Sequence, residues 1–82
     1  MNHFVYIIYS SKLNKYYVGF TTNVSVRLVQ HNKGISTFTS RGIPWKLIHV
    51  IACDSETSAR LLEKKIKGRG IKRFLMESGV SI

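Results

Sequence analysis

An 82-residue chain with 44% apolar residues is one small globular domain, 1–82, which excludes a second domain and argues against a disordered chain. Thirteen Lys and Arg against four Asp and Glu give a net charge of +9, so a polyanionic partner is expected, nucleic acid before any other. The longest apolar run, Phe4 to Tyr9, falls far short of the ~20 residues of a membrane span, and no leader pattern frames it. Cys53 is the single cysteine, so no internal disulfide or cysteine metal site can form, and the expected setting is a reducing, cytoplasmic one.

From the N-terminal side, HFVYIIY (His3 to Tyr9) is aromatic and β-branched without a helical period, which predicts a strand covered on both faces. Ser10 to Lys15 is a polar hairpin loop, and YYVGF (Tyr16 to Phe20) resumes strand character. Gly19 inside that strand predicts the close approach of another group. Thr22 and Asn23 are N-cap types, and VSVRLVQHNK follows as a short helix with Val24 and Leu28 on one stripe, ended by Gly34. ISTFTSRGIP reads as a polar loop. Trp45 to Ala52 is the third strand. Asp54 or Ser55 caps a second helix to about Lys67, Gly68 and Gly70 interrupt it, and a last helix runs from about Ile71 to Glu77. The expected fold is α+β: a small, mostly antiparallel three-stranded sheet flanked by helices, in the order β-β-α-β-α-α.

The acids are as informative as the bases. Asp54, Glu56, Glu63 and Glu77 all lie in the last third, so a carboxylate-held metal must use one of these four. A two-metal site, which clusters several acids, is disfavoured. Strand alternation puts Tyr17 and Gly19 on one face. Helical spacing puts Asn23, Arg27 and His31 on one side. Ala59, Leu62, Glu63 and Ile66 form a core-facing stripe, which places a carboxylate on or beside an apolar face. Taken one by one, these residues have plain readings: strand aromatics, a solvated helix face, and a Glu63 paired with Lys67 or Arg60.

Taken together, in order and spacing, they resemble the GIY-YIG nuclease family in its stand-alone, single-domain bacterial branch. Phe4-Val5-Tyr6 stands where the first motif would be and Tyr17-Val18-Gly19 where the second would be. Arg27, the His31-Asn32-Lys33-Gly34 step, Glu63 before Lys64-Lys65-Ile66-Lys67, and FTSRGIPWKLIHV complete the match. Phe4 replaces the first-motif glycine, Asn23 stands where aspartate often caps the helix, and no asparagine follows Asn32.

The resemblance implies a divalent-metal-dependent endonuclease that hydrolyses DNA phosphodiester bonds, structure-selective or nonspecific, in DNA repair or processing. Glu63 would bind Mg²⁺ or Mn²⁺, Arg27 would hold a nonbridging phosphate oxygen, and Tyr6, Tyr17 or His31 would activate water. Lys33, Arg41, Lys64, Lys67, Arg69, Lys72 and Arg73 are the candidate phosphate contacts, which supply affinity without sequence information. Family members often carry a targeting domain, so a separate targeting protein is an expected partner. The missing late asparagine leaves an alternative: a catalytically inactive nucleic-acid-binding module of the same fold.

Overall fold

The computed structural model describes residues 2–79. Three strands, β1 (His3–Ser10), β2 (Lys15–Thr21) and β3 (Trp45–Cys53), form one antiparallel sheet in the order β2-β1-β3. Helix α1 (Val24–Asn32) follows the hairpin, and α2 (Glu56–Arg69) and α3 (Ile71–Glu77) follow β3. The predicted order holds throughout. A short 3-10 turn, Ser40–Gly42, interrupts the loop that the sequence marks only as polar.

β1 takes the central place because both its faces are apolar: Val5, Tyr6, Ile7 and Ile8 are all buried. Alternation then makes two packing faces. On one, Val5, Ile7 and Val18 pack with Cys53 of β3, Ala59 and Ile66 of α2, and Leu75 of α3. On the other, Tyr6, Ile8 and Trp45 pack with Tyr17, Val24, Leu28 and Ile43, so α1 covers this side. The hairpin closes where Asn14 adopts φ 52, a left-handed conformation that asparagine tolerates, and Tyr9 donates its hydroxyl to Asn14 Oδ1 at 2.6 Å.

Both long helices start on the expected caps. Val26 N–H donates to Asn23 Oδ1 and Ser58 N–H to Ser55 Oγ, each at 3.1 Å, which identifies Ser55 rather than Asp54 as the second cap. The expected break at Gly68 is absent. A glycine inside a helix costs only ~1 kcal/mol, and buried Ile66 anchors this last turn on the sheet, so α2 continues to Arg69. The chain turns instead at Gly70, whose φ of 97 suits no other residue well. Arg69 and Arg73 then meet Glu77 and clasp α3 to the end of α2, and Arg69 holds the Glu77 carboxyl below its usual range.

Candidate functional site

The site lies where the α1 face of the sheet meets the β2 edge. Tyr6 pairs with Gly19 across β1 and β2, and Ile8 with Tyr17, so both tyrosines and the glycine share one face, as alternation predicts. A Cβ on Gly19 would lie 2.6 Å from Tyr6 Oη and 2.8 Å from Cζ. Only glycine lets the Tyr6 phenol cross its neighbour strand at that depth.

The phenol meets α1 there. Tyr6 Oη is 2.8 Å from His31 Nε2, and His31 Nδ1 is 2.6 Å from Thr39 Oγ1. His31 and Thr39 are completely buried and Tyr6 is 2% exposed, so this is a polar chain inside the protein rather than a solvated helix face. Trp45 fixes its far end by donating its indole N–H to the Thr39 carbonyl at 2.7 Å. Asn32 holds Trp45 in turn: Trp45 N–H donates to Asn32 Oδ1 at 2.6 Å and Asn32 Nδ2 donates to the Trp45 carbonyl at 3.1 Å. Tyr17 leans on His31 edge-on, with ring centroids 5.4 Å apart.

Arg27 sits one turn before His31, half-buried, and donates to Gln30 Oε1 at 3.0 Å. Its charge acts on both members of the buried pair. Burial, aided weakly by that cation, pulls His31 below its ordinary 6.5, so its imidazole is neutral at neutral pH. Burial also lifts the Tyr6 phenol above its ordinary 10.0, while the Arg27 guanidinium opposes the rise.

Glu63 reaches the site from α2. Its side chain is 17% exposed, and its Oε1 lies 2.8 Å from Lys67 Nζ, one turn on, so the pairing with Lys67 rather than Arg60 is the one that forms. Arg60 pairs with Glu56. Among the described residues no three His, Cys, Asp or Glu side chains gather as a metal cage. The donor set still fits a hard cation: one carboxylate, with water and phosphate oxygens completing the shell, is how Mg²⁺ is commonly held. Such an ion would compete with Lys67 for Glu63.

The structure therefore brings together Tyr6, Tyr17, Arg27 and His31. Glu63 of the second helix lies close enough to act on Tyr6 electrostatically, and Lys67 close enough to interact with Tyr17. Lys33, Arg41, Lys64 and Lys72 are exposed, whereas Arg69 and Arg73 are engaged by Glu77. Thr39 and Gln30 were not foreseen. For Gln30 the signal was available in its i, i+3 spacing from Arg27; for Thr39, in the middle of a polar loop, there was none.

Comparison with known proteins identifies the family and the fold. Residues 2–73 match the family profile of the GIY-YIG catalytic domain. A UPF0213 protein of Haloquadratum walsbyi is 36% identical over 83 residues, covering 98% of this chain and 92% of the relative. One from Listeria welshimeri is 33% identical over 79 residues, covering 92% and 87%. The solution NMR structure of a UPF0213 protein from Bacillus halodurans superposes with a TM-score of 0.58 at 29% identity, covering 96% of this chain and 84% of that one.

Proposed function

This chain belongs to the GIY-YIG catalytic-domain family, a nuclease-type domain, and from that membership we propose that it is a divalent-metal-dependent endonuclease hydrolysing DNA phosphodiester bonds. The observation that carries the reading is the buried Tyr6–His31–Thr39 chain with Arg27 beside it and one largely covered carboxylate, Glu63, within electrostatic reach of Tyr6.

Each part has a chemical task. Arg27, oriented by Gln30, offers its planar fork to a nonbridging phosphate oxygen and opposes the charge that builds on the phosphoryl group. Glu63 is the residue to hold Mg²⁺ or Mn²⁺, with Lys67 yielding its place. When bound there, the ion supplies Lewis-acid activation of the phosphate and stabilises the leaving oxygen.

Water activation follows from the two shifted groups. A standing Tyr6 phenolate is unfavourable at neutral pH because burial raises the phenol. Neutral His31 resolves the difficulty. With Nδ1–H donating to Thr39 Oγ1, Nε2 is free to accept the Tyr6 proton while Tyr6 Oη takes one from the attacking water. Tyr6 is then the base that touches water, His31 is the proton acceptor behind it, and Tyr17 packs against both.

Exposed Lys33, Arg41, Lys64 and Lys72 suit phosphate contacts that bring affinity without sequence preference. The same charges predict binding that weakens steeply with added salt, and an affinity indifferent to salt would count against DNA as the partner.

Labelled duplex, branched and single-stranded DNA incubated with Mg²⁺ or Mn²⁺ beside Glu63→Ala tests the proposal. Metal-dependent cutting that disappears in a folded variant supports it. Absence of cutting with salt-sensitive binding retained supports the second reading, binding without catalysis, which the Lys67–Glu63 ion pair favours by already occupying the carboxylate.

A further inference from the structure

Phe38 stands out at the rim of this site. It precedes the 3-10 turn and is 80% exposed, the highest value among the exposed large hydrophobics of the described residues. Its ring meets Tyr17 in a tilted contact, with centroids 5.7 Å apart and 50° between the planes, and most of it faces solvent. Below it a groove of about 390 Å³ is lined by Tyr16, Tyr17, Val18, Phe38, Lys67 and Ile71. Its walls are aromatic and aliphatic, its single charge is cationic, and no carboxylate lines it. Lys67 is also the partner of Glu63, so the groove borders that ion pair.

A single exposed apolar residue is ordinary and decides nothing. The combination decides more. A backed aromatic ring, an apolar wall and one cation match the two parts of an unstacked nucleotide, the π-face of its base and its phosphate. An intact duplex does not offer that face, because each base is covered above and below by its neighbours. The chain's net charge of +9 favours a polyanion here over an apolar protein segment.

We propose that Phe38 and this groove form a stacking subsite for one unpaired nucleobase beside the scissile phosphate, so that the preferred DNA carries an unpaired nucleotide where it is cut. The position of the cut rests on the nuclease reading above; the stacking does not. Phe38 is thus a specificity-determining residue; its ring meets Tyr17, and its side chain makes none of the hydrogen bonds of the buried Tyr6–His31–Thr39 chain.

The test uses the full chain without metal and oligonucleotides carrying 2-aminopurine, either unpaired or within an intact duplex. The wild type should bind the unpaired form more tightly and quench its fluorescence. Phe38→Ala should weaken that binding by about 5- to 150-fold, abolish the quenching and leave duplex binding unchanged, and Phe38→Trp should restore both. Equal loss on the two DNAs, no loss on either, or unquenched 2-aminopurine in the wild type overturns the subsite. Cleavage with Mg²⁺ or Mn²⁺ is scored separately. Quenching without cutting fails the nuclease reading alone, and cutting with the same substrate preference in Phe38→Ala fails the subsite alone.

Discussion

Substituting Gly19 by alanine tests the geometry of the site with one methyl group. The new Cβ lies 2.6 Å from Tyr6 Oη and 2.8 Å from Cζ, far inside the ~3.5–4.0 Å at which carbon atoms attract. Tyr6 cannot swing aside at low cost, since it is 2% exposed and its hydroxyl is fixed on His31, which Thr39 fixes in turn. Nor can β2 retreat without loosening its pairing with β1. Overpacking of this kind costs ~1–3 kcal/mol, and a Tyr6 hydroxyl driven off His31 adds ~1–3 kcal/mol for a buried polar group without its partner. Relief of glycine's unfolded-state entropy returns only ~0.5–1 kcal/mol. The expected net loss is about 3 kcal/mol, which in a domain of this size lowers Tm by roughly 12–24 °C. Urea and thermal unfolding of Gly19→Ala measure it directly. Repeating the substitution in a Tyr6→Phe background removes the hydroxyl contact but keeps the Cζ contact, so the loss should shrink by about 1–3 kcal/mol. A Gly19→Ala protein within about 0.5 kcal/mol of wild type, or an equal loss in both backgrounds, refutes the close approach.

Other expectations follow from neighbouring contacts. Asn32→Ala removes both hydrogen bonds to the Trp45 backbone and should cost about 1–3 kcal/mol, with a red shift in emission from Trp45, the single tryptophan; an unshifted spectrum at wild-type stability counts against the clamp. His31 has a folded pKa below its ordinary 6.5, so the unfolded chain binds its proton first. The stability this residue leaves intact at pH 7 should therefore decline as pH falls from about 6.5 toward the lower folded value, and His31→Gln should flatten that decline in urea midpoints. If His31 is also the proton acceptor in cleavage, the rate should fall over the same acidic range and stay level between pH 7 and 8. Lys67→Gln frees the Glu63 carboxylate and should tighten Mn²⁺ binding, followed by electron paramagnetic resonance, by up to about 5-fold; unchanged affinity means Lys67 does not guard the carboxylate.

The parts of the fold that local chemistry controls were readable from the sequence. HFVYIIY lacks any helical period and becomes the doubly covered central strand; Asn23 and Ser55 cap the two helices they precede; and Glu63 does lie beside an apolar stripe. The shared side of Arg27 and His31 was also visible in their spacing. What stayed hidden depends on tertiary closure. Thr39 is fully buried inside a loop of serines, threonines and glycine, a place that composition marks as exposed, because Trp45 and His31 both bond to it. Gly68 stays helical because the packing of Ile66 outweighs a weak local preference. Arg69 and Arg73 belong to one basic run in sequence, yet the turn at Gly70 folds them onto Glu77.

The joining of Tyr6 and Trp45 in one buried cluster bears on how such a domain can evolve. The residues proposed for the chemistry are also those that seal the α1 face, so drift at Tyr6, His31 or Thr39 would lower abundance before it could explore new activity. Phe38 and the exposed lysines carry no such double duty. Divergence among descendants should accumulate at those exposed positions while the buried trio is inherited intact.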